Sequence, residues 1–428
     1  MAERGKRRNF AWQVSHSLMG RYIKAIRIDK LYHLEDVRIE VGDDEHPHLI
    51  LTGRNGSGKT VTLDAMAKYL DDLFFSNIGR SFIKYTKAWA EAKGPQEKKN
   101  AERNLVTWRI KWVANHSRVE VELTDMEGIA EKFERGEIII AYYGANRKVK
   151  MREGGVPSKP NIPKNTKVKK EMAEEFLNFL AFQKIVASLA GNEGNKEEQQ
   201  KIEEWFDVFE GLLRKMFGDD KLRLVFSYDP DFKFIISTRG KTFGFNAMAD
   251  GYKALLEIVV DLIMKMQYQN GGLNGVYEKE GIVMIDEVET HLHLEMQKTA
   301  LPLLTTIFPN IQFIVTTHSP FVVSSLPTAT AFDMERHESV DDLTAYSYEA
   351  LAEGYFGVDG TSGYIATQLE KMERLLEKDV LGEDESRKLR MIMAAFDKVP
   401  EVAAPTVFGR YRALRLRYSE RLKSLGMK

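Results

Sequence analysis

The segment GRNGSGKT, Gly53–Thr60, constrains the fold of this chain more than any other. An apolar run, His48 to Thr52, leads into it, and a helical pattern, Val61 to Leu70, leads out. Strand, glycine-rich loop and helix in that order is the setting a P-loop requires. The glycines let backbone N–H groups turn inward around phosphate oxygens, so Asn55, Gly56, Ser57 and Gly58 form the candidate cradle, with Thr62 just beyond it. Lys59 is placed to reach the β- and γ-phosphates, and the Thr60 hydroxyl to hold Mg²⁺. The motif predicts an α/β chain that takes ATP or GTP.

Two further apolar runs end in polar residues suited to the same chemistry. In GIVMIDEVETHLH, Gly281–His293, four apolar residues deliver Asp286 and Glu287. A buried strand ending in an acidic pair is a Walker B arrangement, in which Asp286 holds Mg²⁺ and Glu287 polarises the attacking water. In FIVTTHSP, Phe313–Pro320, a second buried strand ends in Thr316, Thr317 and His318. His318 is the candidate γ-phosphate sensor. His291 and His293, two residues apart, read as structural residues near the site rather than as metal ligands.

Composition narrows the class. The chain has 428 residues, 43% hydrophobic and 29% charged, enough for one large α/β domain with insertions or for two domains. With no cysteine, disulfides and Cys-based zinc sites are excluded, which fits a cytoplasmic protein. A formal net charge of −1 does not advertise nucleic acid, although a local basic patch stays open. The basic start, MAERGKRRNF, lacks the apolar core of a signal peptide and reads as a flexible N-terminus over residues 1–20. No apolar run approaches the length of a membrane span.

Along the chain, strands are expected at Tyr22–Ile28, Val37–Val41, Ile138–Tyr143 and Ala329–Asp333. Val106–Val113 and Arg118–Leu123 alternate and predict an antiparallel pair, and Arg223–Phe226 with Phe232–Ser237 predicts a hairpin. Ser81–Asn104, broken at Gly94-Pro95, Glu171–Leu189, Gln199–Phe217 and Leu294–Ile307 are helical by period. Val149–Val168 reads as a loop whose lysine excess is a solvated face. The last hundred residues predict a short strand at Ala345–Tyr348, then helices with breaks at Gly382 and Pro400.

Together these segments resemble the ATP-binding-cassette class and its SMC-like soluble branch. IDEVETHLH followed by FPNIQFIVTTHSPFVVSSL is similar to the ATPase heads of the OLD family and of Septu- and PARIS-type anti-phage ATPases. The resemblance implies a P-loop ABC-type head: a mixed sheet with N-terminal antiparallel strands, spanning about residues 20–335, with a compact helical insertion at about 150–220. Residues 336–428 would be a mostly helical extension. It further implies an ATP-sandwich homodimer, or a higher oligomer, in which a signature segment meets the partner's γ-phosphate. FNAMADGYKALL, Phe245–Leu256, stands at that place, with Asn246 and Gly251 as contacts and Ala249 where the class has Ser. The loop AYYGANRKV, Ala141–Val149, lacks the class's Gln, which leaves Asn146 or Arg147 to replace it. Tyr22, Tyr32 and His33 are the candidate adenine surfaces.

Under two hundred residues separate Thr60 from Asn246, without sustained heptads, so long DNA-embracing arms are excluded. No strand after His318 ends in the Asp-x-Asp of a Toprim nuclease, so the nuclease implied by the resemblance is a separate effector. The competing readings are a RecF-like repair ATPase that binds DNA directly and a transporter's ATPase subunit. The degenerate signature and the THSP segment argue against the transporter.

Overall fold

The computed structural model describes residues 22–42, 47–116, 118–147, 150–154, 156–228, 232–267, 279–341, 343–356, 363–378, 380–397 and 405–427. The expectation for residues 1–20 and the break at Pro400 lie outside them.

Three antiparallel strands come first in space. They are β1 (Ile23–Leu31), β2 (Leu34–Glu40) and β4 (Val119–Leu123), ordered β2-β1-β4. Alternation in β2 sends Leu34, Val37 and Ile39 inward while charged residues face out. The second sheet has the order β12-β11-β3-β10-β9-β5. Its members are β3 (His48–Thr52), β5 (Ile138–Tyr143), β9 (Glu280–Ile285), β10 (Ile311–Thr316), β11 (Ala329–Asp333) and the antiparallel edge strand β12 (Glu338–Asp341). The five parallel strands are almost wholly buried, and their sequences are accordingly near-continuous apolar runs. The expected mixed sheet is the six-stranded one, and the N-terminal antiparallel strands form a sheet of their own. Gln312 of β10 joins them: its fully buried amide donates to the carbonyls of Ile23 (3.1 Å) and Pro47 (2.7 Å) and accepts from the N–H groups of Tyr22 and Ile23. All its hydrogen-bonding capacity is used, which is what burial of an amide demands.

Helix α1 (Lys59–Phe75) follows the P-loop and packs Leu63, Met66, Leu70 and Leu73 into the core shared with β1 and β2. Next come α2 (Asn77–Glu91) and α3 (Pro95–Asn115), so Val106–Val113 is helix, not strand. The alternation at 106, 108, 110 and 112 concealed a helical stripe. Trp112 and His116 are buried, Trp108 is half-buried, and Val106 and Ile110 face solvent. Trp112 stacks on Phe82 of α2. Pro95 is the first residue of α3, where its missing N–H costs nothing. β4 then finds its antiparallel partner in β1.

Helix α4 (Met126–Arg135) precedes β5, and α5 (Phe176–Asn192) with α6 (Lys196–Phe217) makes a helical pair around Phe176, Phe179, Trp205 and Phe209. β6 (Arg223–Ser227) and β7 (Lys233–Thr238) form the expected hairpin, and β8 (Lys241–Gly244) adds a third strand that the sequence reading missed. A 3-10 turn (Phe245–Ala247) leads to α7 (Asp250–Met266), and α8 (Leu294–Ile307) and the short α9 (Pro320–Val323) complete the domain.

The chain divides into two compact units, Met1–Tyr346 and Ser347–Lys428. Ala345–Tyr348 is not a strand: Tyr348 opens α10 (Tyr348–Phe356), and the strand pairing with β11 is β12, seven residues earlier. Tyr346 and Tyr348 are exposed, so the apparent alternation buries nothing. The second unit continues with α11 (Gly363–Leu376), α12 (Glu383–Phe396, with Gly382 as its N-cap), α13 (Pro405–Arg417) and α14 (Ser419–Ser424). Its own core includes Met372, Leu389, Phe396 and Tyr411. Among the described residues no helix is long and apolar enough to cross a membrane.

Candidate active site

Strand order sets the site. β3 lies between β11 and β10, with β9 beyond β10 and β5 beyond β9. Parallel pairing places the C-terminal ends of all five at one edge, where ligands of open α/β sheets bind. The P-loop leaves β3 there, Asp286 leaves β9, and the Thr316–His318 segment leaves β10.

The P-loop needs its glycines. Gly53, Gly56 and Gly58 have φ of +130°, +83° and +101°. A Cβ on Gly58 would also stand 2.7 Å from Leu34 Cδ1, so the start of β2 presses directly on the loop. Lys59 curls back into it: Nζ donates to the carbonyls of Gly53 (2.8 Å) and Arg54 (2.9 Å) and approaches Ser57 Oγ (3.4 Å). Burial lowers its pKa to about 8, and the charges of Glu289, Glu287 and Asp286 only partly offset that. Asn55 and Gly56 are exposed and Ser57 is buried.

Thr60 and Asp286, 226 positions apart, meet. The Thr60 hydroxyl donates to Asp286 Oδ1 at 3.0 Å, and the Thr316 hydroxyl donates to the same oxygen at 2.6 Å. Thr316 Oγ1 also accepts the Glu287 N–H at 2.7 Å. Glu287 has φ +45°, a left-handed conformation that costs a non-glycine residue about 1–3 kcal/mol. Its Oε2 accepts from the Thr290 hydroxyl at 3.1 Å.

Arg147 explains how that conformation is held. The side chain is buried, 6% exposed, and its guanidinium donates to the carbonyls of Asp286 (3.0 Å) and Glu287 (3.1 Å). A longer contact reaches the Gly144 carbonyl. Burial lowers its pKa, with Glu257 of α7 the largest opposing charge. Arg147 is therefore bound to the backbone of the acidic pair, not poised over the loop as a free cation, and the sequence held no signal for this. The end of β5 is fixed nearby, where the Tyr143 hydroxyl donates to buried Asp261 at 2.6 Å.

His318 is half-buried, and its backbone N–H donates to Glu289 Oε1 at 2.5 Å. Burial lowers the imidazole pKa, as does the neighbouring Lys59 charge, so the ring is held neutral. Ser319 then caps α9, its hydroxyl accepting from the N–H groups of Phe321 and Val322 and donating to Gln297, which explains the Ser-Pro after His318. Burial raises the pKa of Glu289, a residue the sequence gave no role.

The remaining candidates divide into buried or bonded residues and exposed ones. Thr62 is fully buried and its hydroxyl is sealed from solvent. The Asn246 amide clamps the backbone of Met151, donating at 2.8 Å and accepting at 3.1 Å. Gly251 opens α7 against the segment after Glu287: a Cβ there would lie 2.8 Å from the His291 carbonyl. His291 and His293 are exposed, and His293 precedes α8 without a side-chain cap. Tyr22 is buried, which removes it as an adenine surface, whereas Tyr32 at the β1–β2 turn is 74% exposed.

Fold and site define a P-loop α/β protein with a parallel-rich sheet. The family described as "AAA domain, putative AbiEii toxin, Type IV TA system" matches residues 93–324, more than half of the chain, and the chain belongs to this AAA-domain family. It is 28% identical over 170 residues to the retron Vc95 probable ATPase of Vibrio cholerae serotype O1 biovar El Tor, covering 38% of this chain and 33% of that protein. It is 30% identical over 188 residues to the Septu protein PtuA of Bacillus thuringiensis, covering 43% and 44%. The matched regions thus span less than half of these relatives. A crystal structure of an Smc head bound to the C-winged helix domain of ScpA shares 13% identity at a TM-score of 0.37, over 76% of this chain and 99% of that one.

Proposed function

We propose that this chain binds ATP with Mg²⁺ at the edge formed by β3, β9 and β10 and hydrolyses it. The observation that carries the reading is the convergence of Thr60 and Thr316 on one oxygen of Asp286, beside the P-loop. These are hard oxygen donors of the kind magnesium takes together with substrate phosphates, and Thr60 with Asp286 would hold it. Bound there, the ion would supply charge neutralisation at the β- and γ-phosphates. Lys59 would leave the carbonyls of Gly53 and Arg54 for those phosphates. Glu287 would accept a proton from the attacking water at a carboxylate oxygen, and neutral His318 would orient the γ-phosphate side of the site.

By similarity to the retron and Septu relatives, hydrolysis would control a separate effector nuclease in cytoplasmic anti-phage defence. The ATP state would be a head-to-head homodimer, or a higher oligomer, closed over the segment around Asn246 and Gly251. Sedimentation of Glu287→Gln with and without Mg·ATP tests this. A dimer only with Mg·ATP, absent in Lys59→Ala, is expected; an ATP-independent mass for both variants would contradict the switch.

A further inference from the structure

A groove of about 1020 Å³ runs beside α1, between the β1–β2 turn, the end of α3 and the loop before α5. Its floor is apolar, with Val61, Ala65 and Ala114. Its rim is cationic: Lys30, Lys68, Arg118, Lys167, Lys169 and Lys170 face two carboxylates, Asp64 and Asp71. With Glu35 on Lys30 counted, that is a local excess of three positive charges on a chain whose net charge is −1. Lys169 pairs with Asp64 and Lys30 with Glu35. Among the described residues Lys68, Arg118, Lys167 and Lys170 are exposed and have no acidic partner.

The lysine run is built, not loose. Val168 is fully buried between Lys167 and Lys169. Its N–H donates to Asp71 Oδ1 at 2.8 Å, and its carbonyl accepts the Tyr142 N–H at 2.9 Å. Asp71 thus spends its carboxylate on anchoring the wall. Tyr32, 74% exposed and at φ +53°, stands at the rim with its ring free to take a planar partner.

We propose that this groove binds a single-stranded nucleic acid, its phosphates on the four unpartnered cations and an unpaired base on Tyr32. Clustered cations beside an exposed aromatic suit a strand with free base faces, which a duplex does not offer. The inference does not rest on ATP hydrolysis. The β1–β2 turn also presses on the P-loop through Leu34, so the base of a bound nucleotide is the rival occupant of Tyr32.

The test is fluorescence anisotropy with a labelled oligothymidylate, an oligouridylate and a duplex of equal length, titrated with salt under a saturating non-hydrolysable ATP analogue. Both single strands should bind, with a log–log salt slope near −3 from about four neutralised phosphates. Lys167→Glu/Lys170→Glu should lower affinity about tenfold or more and flatten the slope, because two contacts become repulsive. Tyr32→Ala should weaken single strands and leave the salt slope unchanged. The double variant's thermal midpoint and ATP turnover should match wild type, since both lysines are exposed and outside the phosphate site. Absence of binding at low salt, an affinity within twofold in the double variant, a preference for duplex, or displacement of the strand by the analogue would each overturn the proposal.

Discussion

Replacing Arg147 by Ala should separate binding from turnover. The guanidinium donates to the carbonyls of Asp286 and Glu287, the latter shared with the Thr290 N–H, and it faces Glu257 together with Lys253. Truncation takes the guanidinium donor from the Asp286 carbonyl, at about 1–3 kcal/mol, while the Glu287 carbonyl keeps the Thr290 N–H at 3.0 Å. It also removes one of the charges that face buried Glu257, whose carboxylate keeps Lys253 at 3.9 Å, so no unpaired buried charge results. Relief of the arginine's own desolvation works the other way, so the net loss is about 1–3 kcal/mol, a few degrees in melting temperature. The functional effect is separate. Glu287 loses the carbonyl restraint that helps hold its left-handed backbone, and misplacement of a catalytic group by about 1 Å costs about a hundredfold in rate. The P-loop and Lys59 are untouched, so ATP affinity should change little. Arg147→Lys keeps a charge toward Glu257 but loses the planar fork and should recover stability more than rate. Melting curves, equilibrium nucleotide binding and steady-state phosphate release measure all three. A stable Arg147→Ala protein with wild-type kcat would refute the reasoning. Loss of ATP affinity as severe as in Lys59→Ala would refute it too, by making Arg147 a direct phosphate ligand.

Three further outcomes follow from other residues. His48 is buried with Nδ1 accepting the Phe313 N–H, and burial lowers its pKa to about 4. Against an unfolded value of about 6.5, this stability is complete above that pH and drains as pH falls toward 4, about 3 kcal/mol in all. Urea denaturation at neutral and mildly acidic pH should show the loss in wild type, and His48→Gln should flatten it; equal pH dependence in both would contradict the assignment. Lys59, lowered to about 8, should regain its proton when phosphates arrive, so titration calorimetry near that pH in two buffers of different ionisation heat should report proton uptake that vanishes in Lys59→Met. Gly251→Ala must displace the His291 carbonyl and should slow hydrolysis while nucleotide binding persists; a wild-type rate would show that α7 need not abut that segment.

The cluster at the strand ends was legible because it is local. A P-loop, an acidic pair and a Thr-Thr-His run each sit at the end of an apolar strand, and strand burial on both faces makes such runs conspicuous. What sequence could not resolve depends on partners far along the chain. Alternation at 106–112 looked like a strand because the stripe of Trp108, Trp112 and His116 becomes visible only once Phe82 supplies its partner. The bond of the Asn246 amide to the Met151 backbone is likewise non-local, and no periodicity encodes it. Arg147 was legible as a cation near the site but not as the clip on the backbone of Asp286 and Glu287, because that role rests on the adjacency of β5 and β9.

The most direct measurement is single-turnover phosphate release from Mg·ATP by wild type and Glu287→Gln, with nucleotide binding measured in the same preparations. Wild type should hydrolyse ATP. Glu287→Gln should bind it with similar affinity and turn over about 10²–10⁴-fold more slowly, the range that loss of a positioned general base produces. A Glu287→Gln protein that hydrolyses ATP at the wild-type rate would contradict the account.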